Sequence, residues 1–206
     1  GPQKWTYYHL YVAIDIFSRY VVGWMVATRE SSELAQRLVG DACERQSIED
    51  GQLTVHSDRG TSMTSKSLAL LYADLGITRS LNRPYTSNDN PFSEAQFKTL
   101  KYRPGFPDRF GSLEDARSTS QALLDWYNNE HRHSSLGLLT PADVHHDRVD
   151  ERLAVRDHAL SAAYAAHPER FVRGVPIAPR PPEAAWINPP VDKTLSADEK
   201  SALVAH

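Results

Sequence analysis

Residues 53–81 read LTVHSDRGTSMTSKSLALLYADLGITRSL, and their punctuation decides the fold class. An apolar run at 53–57 follows the Asp50-Gly51 turn and reads as a short strand. Residues 65–75 read as a helix stopped by Gly76, and 77–81 as another strand. Working upstream, residues 8–16 (YHLYVAIDI) and 20–28 (YVVGWMVAT) are rich in β-branched and aromatic residues. The short Ser18-Arg19 connection makes them a β-hairpin. Ser31 or Ser32 then caps a helix whose apolar series, Leu34/Leu38/Ala42 and Ala35/Val39/Cys43, have the spacing of one helical face. Downstream, residues 82–91 form a polar loop, and a helix runs on to Tyr102, ended by Pro104. Ser112 and Asp115 form a capping box for a helix through Leu123, Trp126 and Tyr127. Thr140-Pro141 starts a last helix that reaches Ala166. Strands alternating with helices, a hairpin in front and helices behind, give an α/β fold.

Composition narrows the function. The chain has 206 residues, a net charge of −3 and 40% hydrophobic residues including four tryptophans, enough for one core with an appendage. A single cysteine excludes a disulfide framework and a cysteine-built zinc site. Every long apolar run is broken by Asp15, Arg19 or Gly23, so neither a membrane span nor a signal peptide is expected, and a reduced, cytoplasmic setting is. Seven of the thirteen prolines fall within residues 168–190, which predicts an extended strap or linker. Charge is unevenly placed. From Arg79 to Arg103 it is +3 and elsewhere −6, a modest pointer to phosphate groups.

Two carboxylates stand out. Asp58 directly follows the 53–57 strand, and functional groups gather at the carboxyl ends of strands in open α/β sheets. A strand-end aspartate before glycine is also a common turn. Glu94 opens a helix after Asn88-Asp89-Asn90-Pro91 and shares a face with Lys98 and Lys101. Alone it reads as a surface residue paired with lysine. Together the two acids suit Mg²⁺ or Mn²⁺, hard ions that bind phosphate oxygens, with the lysines meeting a nucleic-acid backbone.

The stretches 11–24 (YVAIDIFSRYVVGW), 56–60 (HSDRG), 88–101 (NDNPFSEAQFKTLK) and 126–144 (WYNNEHRHSSLGLLTPADV) strongly resemble the catalytic core of bacterial insertion-sequence transposases and retroviral integrases. Thirty-five residues separate Asp58 from Glu94, as in that superfamily's Asp-Asp-Glu signature. The similarity extends over roughly residues 5–190 and includes 186–190 (WINPP). It implies an RNase H-like fold with a mixed sheet, a core over 1–150, and a C-terminal helix with a Pro-rich tail over 151–206. It further implies Mg²⁺ or Mn²⁺ dependence, DNA cleavage and strand transfer, and action as a homo-multimer on DNA in the bacterial cytoplasm, away from membranes. Asp58 matches the second catalytic aspartate and Glu94 the glutamate, both as metal ligands. Lys98 and Lys101 match DNA-facing positions, and Asn88 and Asn90 stand in the active-site loop, contacting substrate or shaping its turn.

The first catalytic aspartate of the signature is missing. Asp15 ends an apolar strand, but by the resemblance that strand is the family's second, so Asp15 is expected to close the hairpin instead. The aspartate belongs on a strand upstream of Gly1, which predicts an N-terminally truncated and inactive chain. A non-catalytic remnant that binds DNA or intact transposase is the alternative, and a hydrolytic RNase H-type nuclease a third. His56 shares a strand face with Asp58 and either neighbours the metal or is satisfied in the core. His131, His133, His145 and His146 suggest packing or backbone contact rather than zinc. Tyr7, Tyr8, Tyr11 and Trp24 read as core, and Cys43 as buried and inert.

Overall fold

β1 (His9–Ile14) and β2 (Val21–Ala27) pair as the expected antiparallel hairpin. The computed structural model describes residues 1–60, 62–83 and 90–187. β1 shows why a period of two matters: Tyr11 packs towards one hydrophobic cluster and Val12 towards another on the opposite face. α1 (Ser32–Arg45) starts at Ser31, whose Oγ accepts a 3.3 Å bond from the Leu34 N–H. The Tyr11 hydroxyl accepts from the Ser31 N–H at 2.8 Å, tying the helix start to β1.

β3 (Thr54–Ser57) and β4 (Thr78–Leu81) form a parallel pair connected through α2 (Lys66–Asp74). Gly76 ends α2 at φ +60°, and a Cβ there would lie 2.7 Å from the backbone nitrogen of Gly51. Only glycine fits both demands. The expected sheet is realised as two two-stranded pieces, β1-β2 and β3-β4.

α1 and α2 cover one face with Ala35, Val39, Cys43, Leu68 and Tyr72, joined by Ile77 just before β4. α3 (Pro91–Lys101) and α4 (Leu113–Asn129) cover the other, through Leu100, Leu123, Leu124 and Tyr127 packed on Val21. Leu68 is fully buried, so truncating it to alanine costs about 2–5 kcal/mol. Asn128 of α4 acts as a substitute strand partner: its Oδ1 accepts from the Val21 N–H at 2.9 Å and its Nδ2 donates to the Val21 carbonyl at 3.2 Å.

Two expected helix features change. The capping box at α4 is half formed: Ser112 Oγ accepts from the Asp115 N–H, but the Asp115 carboxylate turns to the Gly111 N–H at 2.7 Å. The single helix from Pro141 to Ala166 is two, α5 (Pro141–His145) and α6 (Val149–Ala166). The break lies at Asp147, in the left-handed region at φ 54°. Buried Asp143 stabilises it by accepting from Arg152 at 2.9 Å. The complete capping box is instead at Thr140, reciprocated by Asp143.

The proline-rich segment doubles back as a strap over α6. The Ala178 N–H donates to Asp157 at 2.9 Å and Arg180 pairs with Asp150 at 2.9 Å. Gly137, at φ +63°, leaves room for the Pro179 carbonyl where a Cβ would collide. Residues 188–190 of the expected WINPP segment lie outside the described residues.

Candidate functional site

Asp58 sits immediately past the carboxyl end of β3 and is exposed. Its Oδ1 accepts from the Gly60 N–H at 3.0 Å, an Asx turn that fixes the carboxylate's direction. The turn reading and the functional reading are thus compatible. The carboxylate opens onto a cleft of about 490 Å³ lined by Tyr8, His9, Leu10 and Tyr11 of the β1 region, Glu30, Ser62, Met63 and Phe97. Among the described residues β1 pairs on one edge alone, with β2.

Glu30 was not anticipated. It lies just before the α1 cap, and its Oε1 accepts from the Ser62 hydroxyl at 2.8 Å, linking the α1 entrance to the loop after Asp58. A Cβ on Gly60 would be 3.1 Å from Asp58 Oδ1 and 3.8 Å from Glu30 Oε1, so both acids face one small space. Nothing in the local sequence around Glu30 signals this; the meeting is made by tertiary packing. Tyr8 and Phe97 also reach the cleft, and Tyr7, expected in the core, is 64% exposed.

Glu94 is in the first turn of α3, its N–H bonded to the Asn90 carbonyl at 3.2 Å. It is exposed and does not line the cleft; Phe97, three residues along, is the α3 side chain that does. Lys98 and Lys101 are exposed one and two turns beyond Glu94. Asn90 is the α3 N-cap at φ −131°, without a side-chain cap bond, so a left-handed turn is not its role. Asn88 lies outside the described residues. Asp58 and Glu30 offer hard oxygen donors of the kind Mg²⁺ and Mn²⁺ prefer. Among the described residues no three His, Cys, Asp or Glu side chains are grouped to hold an ion.

Residues 1–87 match the Integrase core domain family, and residues 75–141 match a second family of the same description. The chain carries an integrase core domain over residues 1–141. It is 30% identical over 143 residues to the transposase for insertion sequence element IS904 of Lactococcus lactis subsp. lactis, covering 69% of this chain and 56% of that protein. It is also 30% identical over 140 residues to the transposase InsF for insertion sequence IS3A of Escherichia coli, covering 68% and 48%. The chain spans about half the length of these curated relatives. The catalytic core domain of BIV integrase shares the fold at TM-score 0.51 and 20% identity, over 69% of this chain and 88% of that one. A chain of the simian T-cell lymphotropic virus intasome, in complex with PP2A regulatory subunit B56 gamma, matches at TM-score 0.51 and 21% identity, over 71% and 51%.

Elsewhere in this integrase core, the remaining polar candidates are engaged. Asp15 accepts from the N–H groups of Phe17 and Ser18 at 3.0 and 3.3 Å and from the Ser18 hydroxyl at 2.5 Å. Burial alone would raise its pKa, but these bonds and His145 lower it to about 2. His145 also bonds Gln46 at 2.9 Å and stacks on Tyr20 with centroids 4.3 Å apart. His56 is satisfied across the β3-β4 pair, with Ser80 at 2.9 Å on Nδ1 and Asn82 Oδ1 at 2.7 Å on Nε2. His131 stacks on Tyr127, and burial, with the nearby His131 and Arg19 charges, depresses His133 to about 4. His146 packs edge-on against Tyr20. Cys43 is buried, which pushes its thiol pKa up. No helix among the described residues is long and apolar enough to cross a membrane.

Proposed function

We propose that this core serves a DNA transposase, one that cleaves phosphodiesters and joins a 3′-hydroxyl to target DNA with a divalent ion. The carrying observation is Asp58, held at a strand end with its carboxylate open to a cleft that α3 enters one turn from Glu94. Integrase-type cores normally use a divalent metal. Asp58 and Glu94 would hold it here, as Mg²⁺ or Mn²⁺, with Glu30 in the same oxygen-rich space. When bound, such ions activate the attacking hydroxyl and stabilise the leaving oxygen. Asp58 keeps its direction through the Gly60 N–H, and Lys98 and Lys101 meet the phosphates of the substrate strand. The reading divides the chain into a core at 1–150 and a C-terminal helix with a Pro-rich tail at 151–206. It also places the protein in a homo-multimer on paired DNA ends, in keeping with its likeness to an intasome chain.

With Glu30 already accepting from Ser62, Asp58 and Glu94 are two carboxylates on a metal that three usually share, so residues 1–206 alone bind one Mn²⁺ weakly and do not perform strand transfer. The test is a Mn²⁺ titration followed by electron paramagnetic resonance, alongside a strand-transfer assay. Asp58→Asn and Glu94→Gln each weaken binding by at least about tenfold, while Asp15→Asn leaves it unchanged. Strand transfer by residues 1–206 that disappears in Asp15→Asn overturns the assignment.

A further inference from the structure

Arg19 is an unusual residue to find buried in a hairpin turn. It is 8% exposed, adopts a left-handed backbone at φ 62°, and its Nη1 has no hydrogen-bond partner among the described residues. Burial lowers its pKa, and no ion pair within bonding distance is found for it among the described residues. What the guanidinium does touch is Phe92, its carbon 4.0 Å from the ring centroid. Phe92 is the second residue of α3, two before Glu94. A desolvated cation over an aromatic face is the strong form of this interaction.

The other end of α3 is held in the same way. The Arg103 guanidinium carbon lies 4.0 Å from the Trp126 ring centroid, and Leu100 is buried in the core. Between the two clamps, Gln96 is 2% exposed, and neither its side-chain oxygen nor its nitrogen is hydrogen-bonded among the described residues. Half-buried Phe92 and buried Gln96 and Leu100 follow one another at four-residue spacing, so this stripe is the inner face of α3. Its middle supplies no polar tie, which leaves the Arg19 contact to fix the amino-terminal half. The turn presenting Arg19 is itself pinned by the Asp15, Ser18 and His145 bonds.

We infer that Arg19 is a positioning residue: through Phe92 it fixes the amino-terminal turn of α3 and so the placement of Glu94. The importance of that placement rests on the metal-dependent reading above; the clamp itself does not. The test measures hydrogen exchange at the amides of residues 94–98 in Arg19→Met, Arg19→Lys and Phe92→Leu, with Mn²⁺ affinity read on the same proteins. Arg19→Met and Phe92→Leu each speed exchange at 94–98 by at least tenfold without altering α1, and Arg19→Lys keeps much of the protection. Arg19→Met and Glu94→Gln lower Mn²⁺ affinity alike, and combining them lowers it no further. Unchanged exchange at 94–98 in folded Arg19→Met or Phe92→Leu protein overturns the clamp. Faster exchange in Arg19→Met, with Glu94→Gln leaving Mn²⁺ affinity intact, upholds the clamp and sinks the metal reading.

Discussion

Asp15 and Asp58 both stand at the ends of apolar strands, and their surroundings are opposite. Asp15 receives two backbone N–H groups, the Ser18 hydroxyl and His145, which is also held by Gln46. Asp58 receives one backbone N–H and otherwise faces a cleft, with Glu30 across Gly60. A carboxylate whose lone pairs are used by its own turn has little left for an ion. One held by a single bond keeps its direction and its free oxygen. Strand-end position therefore does not identify a catalytic acid; the accounting of its hydrogen bonds does.

That contrast is broken most directly by metal linkage. At a hundred times its Kd, an ion that binds only the folded chain adds about 2.7 kcal/mol of stability. Thermal melts with Mn²⁺ at that concentration should show this increment in wild type and in Asp15→Asn, and about 1.4 kcal/mol or less in Asp58→Asn. Without metal, Asp58→Asn melts at or slightly above the wild-type temperature, because it removes one of two acids facing a single space. An unchanged Mn²⁺ increment in Asp58→Asn would sink the distinction between the two aspartates.

Acid sharpens the contrast on the structural side. His133 is held at about 4, below its ordinary 6.5, so the stability it contributes is complete above pH 6.5 and is lost as pH falls towards 4. Allowing for partial exposure, that loss is about 2 kcal/mol. Asp15, held at about 2 against an ordinary 3.8, contributes above pH 3.8 and loses that contribution between 3.8 and 2. Urea melts across pH 7 to 2 should show both windows; His133→Asn flattens the upper and Asp15→Asn the lower. At pH 7, Asp15→Asn costs about 1 kcal/mol, discounted because the side chain is 34% exposed.

Local signals made the elements legible. Ser31, Ser65 and Ser112 cap helices as their types suggest, and Gly76 ends α2 where a Cβ would strike Gly51. Asp15 closes the hairpin as expected, through backbone and Ser18 bonds, with His145 rather than Arg19 as its further partner. The break at Asp147 is not legible locally, because a polar HHDR run fits a helix surface as well as a turn and the deciding Asp143–Arg152 pair bridges two helices. Asp58 was visible at its strand end, whereas Glu30 is 28 positions earlier and meets it only through packing. Arg19 looked like part of a polar connection; its burial depends on α3 arriving from far along the chain.

The smallest expected effects belong to α3's exposed face, and they extend the comparison from acids to cations. Lys98 and Lys101 are exposed beyond Glu94, whereas Arg152 is committed to Asp143 at 2.9 Å and Arg156 donates to the Gly137 carbonyl at 2.6 Å. A cation committed within the fold cannot neutralise DNA phosphates and so displaces none of the counterions condensed on DNA; an exposed one does. Lys98→Ala and Lys101→Ala should each weaken duplex binding several-fold regardless of sequence, and lower the slope of log K against log salt by about one. Arg156→Ala should lower stability and leave that slope alone. Fluorescence anisotropy across a salt series measures both quantities on one set of proteins. Equal slopes for all three variants would mean that DNA approaches by some face other than α3. The Asp58 cleft would then have to be entered from the side of β1.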